Sequence, residues 1–184
     1  MKKDLISNVF YLMGILFLFF SLLLIIQRYN PNRLAFQNNP GTDSRSCKNI
    51  QKIPRVVRIP DLGIELPIIL SDVKDGKWEV STKGVSYLTQ SPAPGEKGNS
   101  ILYGHNWSQL LGPLVSAKPG YRIEVEFNNG EKNMFRIDGV SVVTPKNTSV
   151  LKSTSSSRRI TLYTCTGFMD LKRFVVTGTL EDVI

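Results

Sequence analysis

The chain has one histidine and two cysteines among its 184 residues, too few for a zinc site of the usual thiolate and imidazole kind. It has no glycine-rich phosphate loop, no EF-hand pattern, no internal repeat and no extended low-complexity segment. No cofactor is therefore expected. The net charge is +8, yet the lysines and arginines form no basic helix and no motif interleaved with aromatics, so nucleic acid is not an expected partner. An anionic membrane or cell wall accounts for the charge more simply. Long apolar runs are scarce too: there is only one, at residues 9–26.

That run holds no charge and is interrupted only by Gly14 and Ser21. It is long enough to cross most of a hydrocarbon core of roughly 30 Å, and without a polar face it does not read as a helix half-buried in a soluble domain. Lys2 and Lys3 precede it and Arg28 alone follows closely, a bias that puts the N-terminus in the cytoplasm. A cleaved signal peptide is the competing reading. The run is too long for its apolar centre, and Leu24-Ile25-Ile26-Gln27 offers no small-residue cleavage site. The expectation is a single-pass cell-membrane protein: residues 1–8 cytoplasmic, 9–26 an uncleaved signal-anchor helix in the lipid bilayer, and the rest extracytoplasmic. Residues 27–53, with Asn30-Pro31-Asn32 and Asn38-Asn39-Pro40-Gly41, read as a flexible stalk.

From residue 54 to 184 the chain is dominated by short β-branched and aromatic runs, at 55–59, 64–70, 100–103, 121–127, 133–143, 159–165 and 174–179. Strands of that number and length predict a mainly β domain, a closed or nearly closed barrel of seven or eight strands. Asn128-Asn129-Gly130 reads as a hairpin turn. One or two short helices are expected: a turn after Trp78, and another over 107–111 ended by Gly112-Pro113.

Within this barrel Cys165 ends one run, His105 follows another, and Arg173 opens the last. A thiol attacks well only as thiolate, an imidazole is the side chain best suited to take its proton near neutral pH, and a guanidinium can stabilise the oxyanion of an acyl transfer. Singly, each has a bland reading: a small buried hydrophobe, a structural histidine, a solvated strand-edge charge that buries little. Together they form a complementary set. Cys47 lies in a polar linker, where a structural disulfide to Cys165 is the minority reading.

The same residues carry a family resemblance. Thr161-Leu162-Tyr163-Thr164-Cys165 resembles the TLxTC signature of the sortases, and Arg173 stands where that family places its arginine. Pro94-Gly95-Glu96 and Gly98-Asn99 ahead of Gly104-His105 are similar to the family's approach to its histidine, and Lys118-Pro119-Gly120 resembles the entry to its next strand. The resemblance implies a sortase-type barrel with Cys165, His105 and Arg173 as catalytic residues, Thr164 as a further substrate contact, and the connection 144–158 as a wall of the substrate groove. It implies a cysteine transpeptidase that cuts an LPxTG-like C-terminal sorting motif of exported proteins through a thioester. The acyl group then passes to an amine of a peptidoglycan precursor or a protein lysine. Calcium activation, found in some members, is not readable from these residues. A pilin-polymerising member would carry a second C-terminal membrane segment and an Asp-Pro-aromatic triplet before the barrel; neither is present in the sequence, which favours a wall-anchoring type. The alternatives are an extracytoplasmic thiol protease and a non-catalytic peptide-binding β-module.

Overall fold

Alternation along the strands decides how this chain folds. In β9 (Arg158–Thr166), Ile160 and Leu162 join one buried apolar cluster while Tyr163 and Cys165 join another. The strand is therefore covered on both faces, as a central strand beside a parallel neighbour should be. The computed structural model describes residues 2–28, 34–36, 52–74, 77–152 and 157–181. The chain divides into two units, Met1–Asn30 and Pro31–Ile184.

The first unit is one helix, α1 (Lys2–Arg28). Its segment Ser7–Gln27 has a mean hydropathy of 2.8 and is long and apolar enough to cross a membrane.

The second unit holds β1 (Pro54–Ile59), β2 (Ile64–Ser71), β3 (Val73–Lys74), β4 (Lys77–Trp78), β5 (Val85–Leu88), β6 (Gly98–Tyr103), β7 (Arg122–Phe127), β8 (Lys132–Val143), β9 and β10 (Lys172–Leu180). Eight of these close into a barrel in the order β1-β2-β5-β6-β9-β10-β8-β7, and β3 and β4 pair separately. The pairs β2–β5 and β6–β9 are parallel, and the other barrel pairs are antiparallel. Closure leaves none of these eight strands as a free sheet edge. At the β1–β7 seam, Arg58 Nη1 donates to Glu124 (2.8 Å) and Glu126 (2.5 Å), and its Nε donates to Glu65 of β2 (3.0 Å). Pairs this exposed contribute little stability, but they favour one register over its neighbours.

Two glycines allow close geometry. Gly130 takes φ +83 in the β7–β8 hairpin, as the Asn-Asn-Gly turn predicts. At Gly84, entering β5, a Cβ would lie 2.2 Å from the Pro67 carbonyl oxygen, so only glycine lets β5 approach β2 there.

The barrel interior is filled by Val57, Ile59, Leu102, Ile123, Phe135, Leu162 and Val176 among others. A second cluster lies on the outer face of β5, β6, β9 and β10: Leu88, Ile101, Tyr103, Tyr163, Cys165 and Val175, capped by Trp78, Leu151, Leu34 and Phe36.

Three local expectations are corrected. The stretch after Trp78 forms no helical turn. Gly112-Pro113 opens a 3-10 helix, Gly112–Ser116, where it was expected to end one. Proline has no N–H to lose at a helix start, and its fixed φ suits that position. Part of the expected stalk is not loose: Leu34 and Phe36 are 1% and 3% exposed.

Candidate active site

The register aligns three side chains. In the parallel pair, Tyr103 of β6 lies opposite Tyr163 of β9, and Arg173 of β10 lies opposite Cys165. Two residues beyond each tyrosine come His105 and Cys165: alternation turns Cys165 toward the outer face that the tyrosines share, and the Gly104 N–H bond to the Tyr163 carbonyl carries the chain at His105 alongside β9. The result is a lateral row: Cys165 and Arg173 on adjacent strands roughly 4.8 Å apart, with His105 just past the end of the neighbouring β6. Parallel pairing brings the C-terminal ends of β6 and β9 together, and antiparallel β10 begins where β9 ends. All three residues therefore sit at one end of the barrel, from elements far apart in sequence.

His105 lies just past β6, and several contacts hold it there. Gly104 N–H continues the ladder to the Tyr163 carbonyl (3.3 Å), and Leu111 N–H donates to the His105 carbonyl (3.1 Å). The imidazole stacks on Trp107, with centroids 4.4 Å apart and planes 8° apart. It is 7% exposed. Burial lowers its pKa from 6.5, against a raising influence of the Asp170 carboxylate. A base held neutral near pH 7 is suited to accept a thiol proton.

Cys165 is 4% exposed and belongs to the outer cluster. Arg173 is 2% exposed, which corrects the expectation of an edge arginine that buries little. Its Nη1 donates to the carbonyls of Asp170 and Lys172 (3.0 Å each), and Nη2 donates to the carbonyl of Ala35 (3.3 Å). The backbone between Cys165 and Arg173 is strained to reach these positions: Met169 and Asp170 have φ of +52 and +59, costly for residues with a Cβ.

Thr164, expected to touch substrate, is fully buried on the opposite face of β9 from Cys165, and its hydroxyl donates to the Gly104 carbonyl (2.8 Å). The connection 144–158 carries a 3-10 turn, Thr148–Leu151, whose Leu151 caps the outer cluster beside Tyr163. Cys47 lies outside the described residues. So does most of 27–53.

Sequence reasoning missed Trp107, Asp170 and Ala35. Trp107 had a signal, because a residue two positions after His105 in the same loop is within stacking reach. Ala35 had none, since its contribution is a backbone carbonyl. Among the described residues no group of three or more His, Cys, Asp or Glu is placed to hold a metal ion.

Fold and site together define a closed β-barrel with a thiol, an imidazole and a guanidinium in one row on its outer wall. The family model for the sortase domain matches residues 57–181, and the chain belongs to the sortase family. Among solved structures it is similar to sortase A from Corynebacterium diphtheriae, at 24% identity and a TM-score of 0.63. That match covers 72% of this chain and 62% of the other, so the chain spans less than two thirds of that relative. Sortase C-1 from Actinomyces oris matches at 26% identity and TM-score 0.60, covering 70% of this chain and 73% of that one. Streptococcus pneumoniae sortase C matches at 21% and 0.62, covering 74% and 72%. A comparison with curated proteins finds no match.

Proposed function

We propose that this protein is a membrane-anchored cysteine transpeptidase acting on a short sorting motif of exported proteins. The observation that carries the reading is the lateral row of His105, Cys165 and Arg173 across β6, β9 and β10. In the proposed reaction His105 takes the Cys165 thiol proton and the thiolate attacks a backbone carbonyl of the motif. Arg173 donates to the oxyanion of the tetrahedral intermediate. The imidazolium then gives its proton to the leaving amine, which departs and leaves a thioester. An incoming amine attacks that thioester, His105 accepts its proton, and the thiol is released with a new amide formed. Trp107 holds the imidazole plane, and Thr164 acts indirectly by fixing the carbonyl of the residue before His105.

The hydropathy of Ser7–Gln27 supports anchoring through α1, and Lys2 and Lys3 support a cytoplasmic N-terminus. A wall-anchoring role, with a peptidoglycan precursor as acceptor, is favoured by the lack of an Asp-Pro-aromatic triplet between α1 and β1.

The test incubates the protein with a library of sorting-type peptides and reads product masses with a glycine-type amine, with a lysine peptide, and without either. Transfer that disappears in Cys165→Ala supports the reading. Hydrolysis alone under all conditions would make it a thiol protease, and no turnover by the folded protein would make it a binding module.

A further inference from the structure

The outer face of β9 changes character along its length. Counting back from Cys165, the residues on that face are Tyr163, Thr161 and Arg159. The paired strands follow the same order: Tyr103 and Val175 flank Tyr163, while Ile101 and Thr177 flank Thr161. The face is thus apolar next to the site and polar beyond it. At the polar end lies a cavity of about 260 Å³, lined by Asn99, Ser149, Lys152, Arg159, Thr161 and Thr177 among others.

The cavity floor is fixed. Asn99 and Thr161 are 4% and 0% exposed. The Thr161 hydroxyl donates to Asn99 Oδ1 (2.8 Å), and Asn99 Nδ2 donates to the Val150 carbonyl (3.4 Å). Polar side chains are costly to bury in a sheet face unless partners hold them, as they do here. The rest of the lining is cationic. Arg159 Nη2 donates to Asp138 Oδ1 (2.9 Å), which also accepts from the Thr177 hydroxyl (2.8 Å), so the Arg159 charge is answered. Lys152 is exposed and makes no ion pair among the described residues. One positive charge is left over beside a polar cavity.

Distance decides what reaches it. At roughly 3.3 Å per residue, Thr161 lies about 13 Å from Cys165 along the strand and Arg159 about 20 Å. An extended peptide rises by the same amount, so with its attacked carbonyl at Cys165 the cavity meets residues about four to six positions away. Those positions are on the acyl side. Once the thioester forms, the acyl half must stay held while an amine enters from solvent; β9 ends at Thr166, so only the side toward Thr161 offers a strand face to hold it. A motif of about four residues is used up before the cavity. The spacing is the same whether the peptide lies over the cap of Leu34, Phe36 and Leu151 or replaces it.

We propose that this cavity is a subsite for an acidic side chain of the substrate, upstream of the sorting motif, with Lys152 as its charge partner. The inference rests on the reading of Cys165 as the nucleophile and adds a specificity determinant outside the motif. A single exposed ion pair gives modest affinity, but exchanging attraction for repulsion separates one substrate from another.

The experiment uses the full chain in detergent micelles as Cys165→Ala, with fluorescent sorting-type peptides in three series. The residues four to six positions before the expected scissile bond are all Glu, all Gln or all Lys. Anisotropy should show the Glu series bound about fivefold or more tighter than the Lys series, with Gln between them. Lys152→Glu should reverse that order. Lys118→Glu makes the same change in net charge at an exposed residue outside the cavity and should preserve it. Equal binding of the three series, binding of none, or an order that both variants change alike would overturn the subsite; the last result would assign the preference to the net charge of +8. The protein with Cys165 intact then receives the same peptides. Cleavage without a charge preference overturns the subsite and leaves the transpeptidase reading standing. Charge-ordered binding that Lys152→Glu reverses, with no peptide ever cleaved, supports the subsite and overturns the catalytic reading.

Discussion

In the proposed reaction Arg173 works through shape as well as charge. Two carbonyls fix Nη1 and a third takes Nη2, so the planar fork is oriented before any substrate arrives, and an ammonium on a flexible stem cannot copy it. Arg173→Lys is expected to lose roughly a hundredfold to a thousandfold in peptide cleavage, nearly as much as Arg173→Ala. Because the side chain is buried, Arg173→Ala should also destabilise the fold, by about 2 kcal/mol for hydrogen bonds made by a charged group. Cleavage rates read beside chemical denaturation separate the two effects, and near-normal turnover in the lysine variant would reduce Arg173 to a general positive charge. His105 carries a second residue-scale prediction. Its folded pKa lies below 6.5 because burial resists the charge. Above that value both folded and unfolded chains hold it neutral. As pH falls through 6.5 the unfolded chain takes up a proton that the folded site refuses, so stability declines until the folded imidazole titrates as well. His105→Gln should flatten this acid-side decline, measured by denaturation midpoints at about pH 7.5 and about pH 5.5; an unchanged slope would assign it to other groups.

At the scale of elements, β9 is the organising strand: its inner face supplies the barrel core and its outer face the site. Thr164 links the two, since its inward hydroxyl holds the Gly104 carbonyl and with it the start of the His105 loop. Thr164→Val keeps the shape and removes the donor. It should cost about 1 to 3 kcal/mol through the orphaned carbonyl and lower kcat roughly tenfold to a hundredfold by misplacing the imidazole, whereas Thr164→Ser should retain most activity. A rise in KM alone would return Thr164 to the substrate contact that its place in the signature suggests. Seven of the eight barrel strands were legible because β-branched runs bounded by turn residues carry a local signal, and so was the β7–β8 hairpin; β5 was missed, because its four residues make too short a run to stand out. The parallel pairing of β6 with β9 was not, because it joins segments separated by β7 and β8 and leaves no local mark. That Cys165, His105 and Arg173 make a chemically complementary set was readable from residue type and order, but the burial of Arg173 was not, since it depends on the β9–β10 turn and on residues 34–36 arriving from outside the barrel's own sequence.

At the scale of the whole molecule, the boundary between tether and domain moves. Composition alone puts the start of the domain at Pro54, because 27–53 is rich in asparagine, proline and glycine; the packing places Leu34 and Phe36 inside the outer cluster with Trp78 and Tyr163. Full burial of a leucine or phenylalanine side chain stabilises by about 1.5 to 3 kcal/mol, and ordering the backbone of three residues offsets much of that at about 1 to 2 kcal/mol each. Those two contributions roughly cancel, so the surplus expected is that of the hydrogen bond from Arg173 Nη2 to the Ala35 carbonyl, about 1.5 to 3 kcal/mol for a charged donor, and in a domain of this size each kcal/mol moves the midpoint by roughly 2 to 4 °C. A chain beginning at Pro31 should accordingly melt a few degrees above one beginning at Pro54, while the shorter chain exposes apolar surface around Tyr163 and binds a hydrophobic dye more strongly. The comparison is a pair of thermal melts at matched concentration with dye fluorescence at low temperature. Identical midpoints and identical dye binding would show that residues 34–36 rest on the barrel without stabilising it.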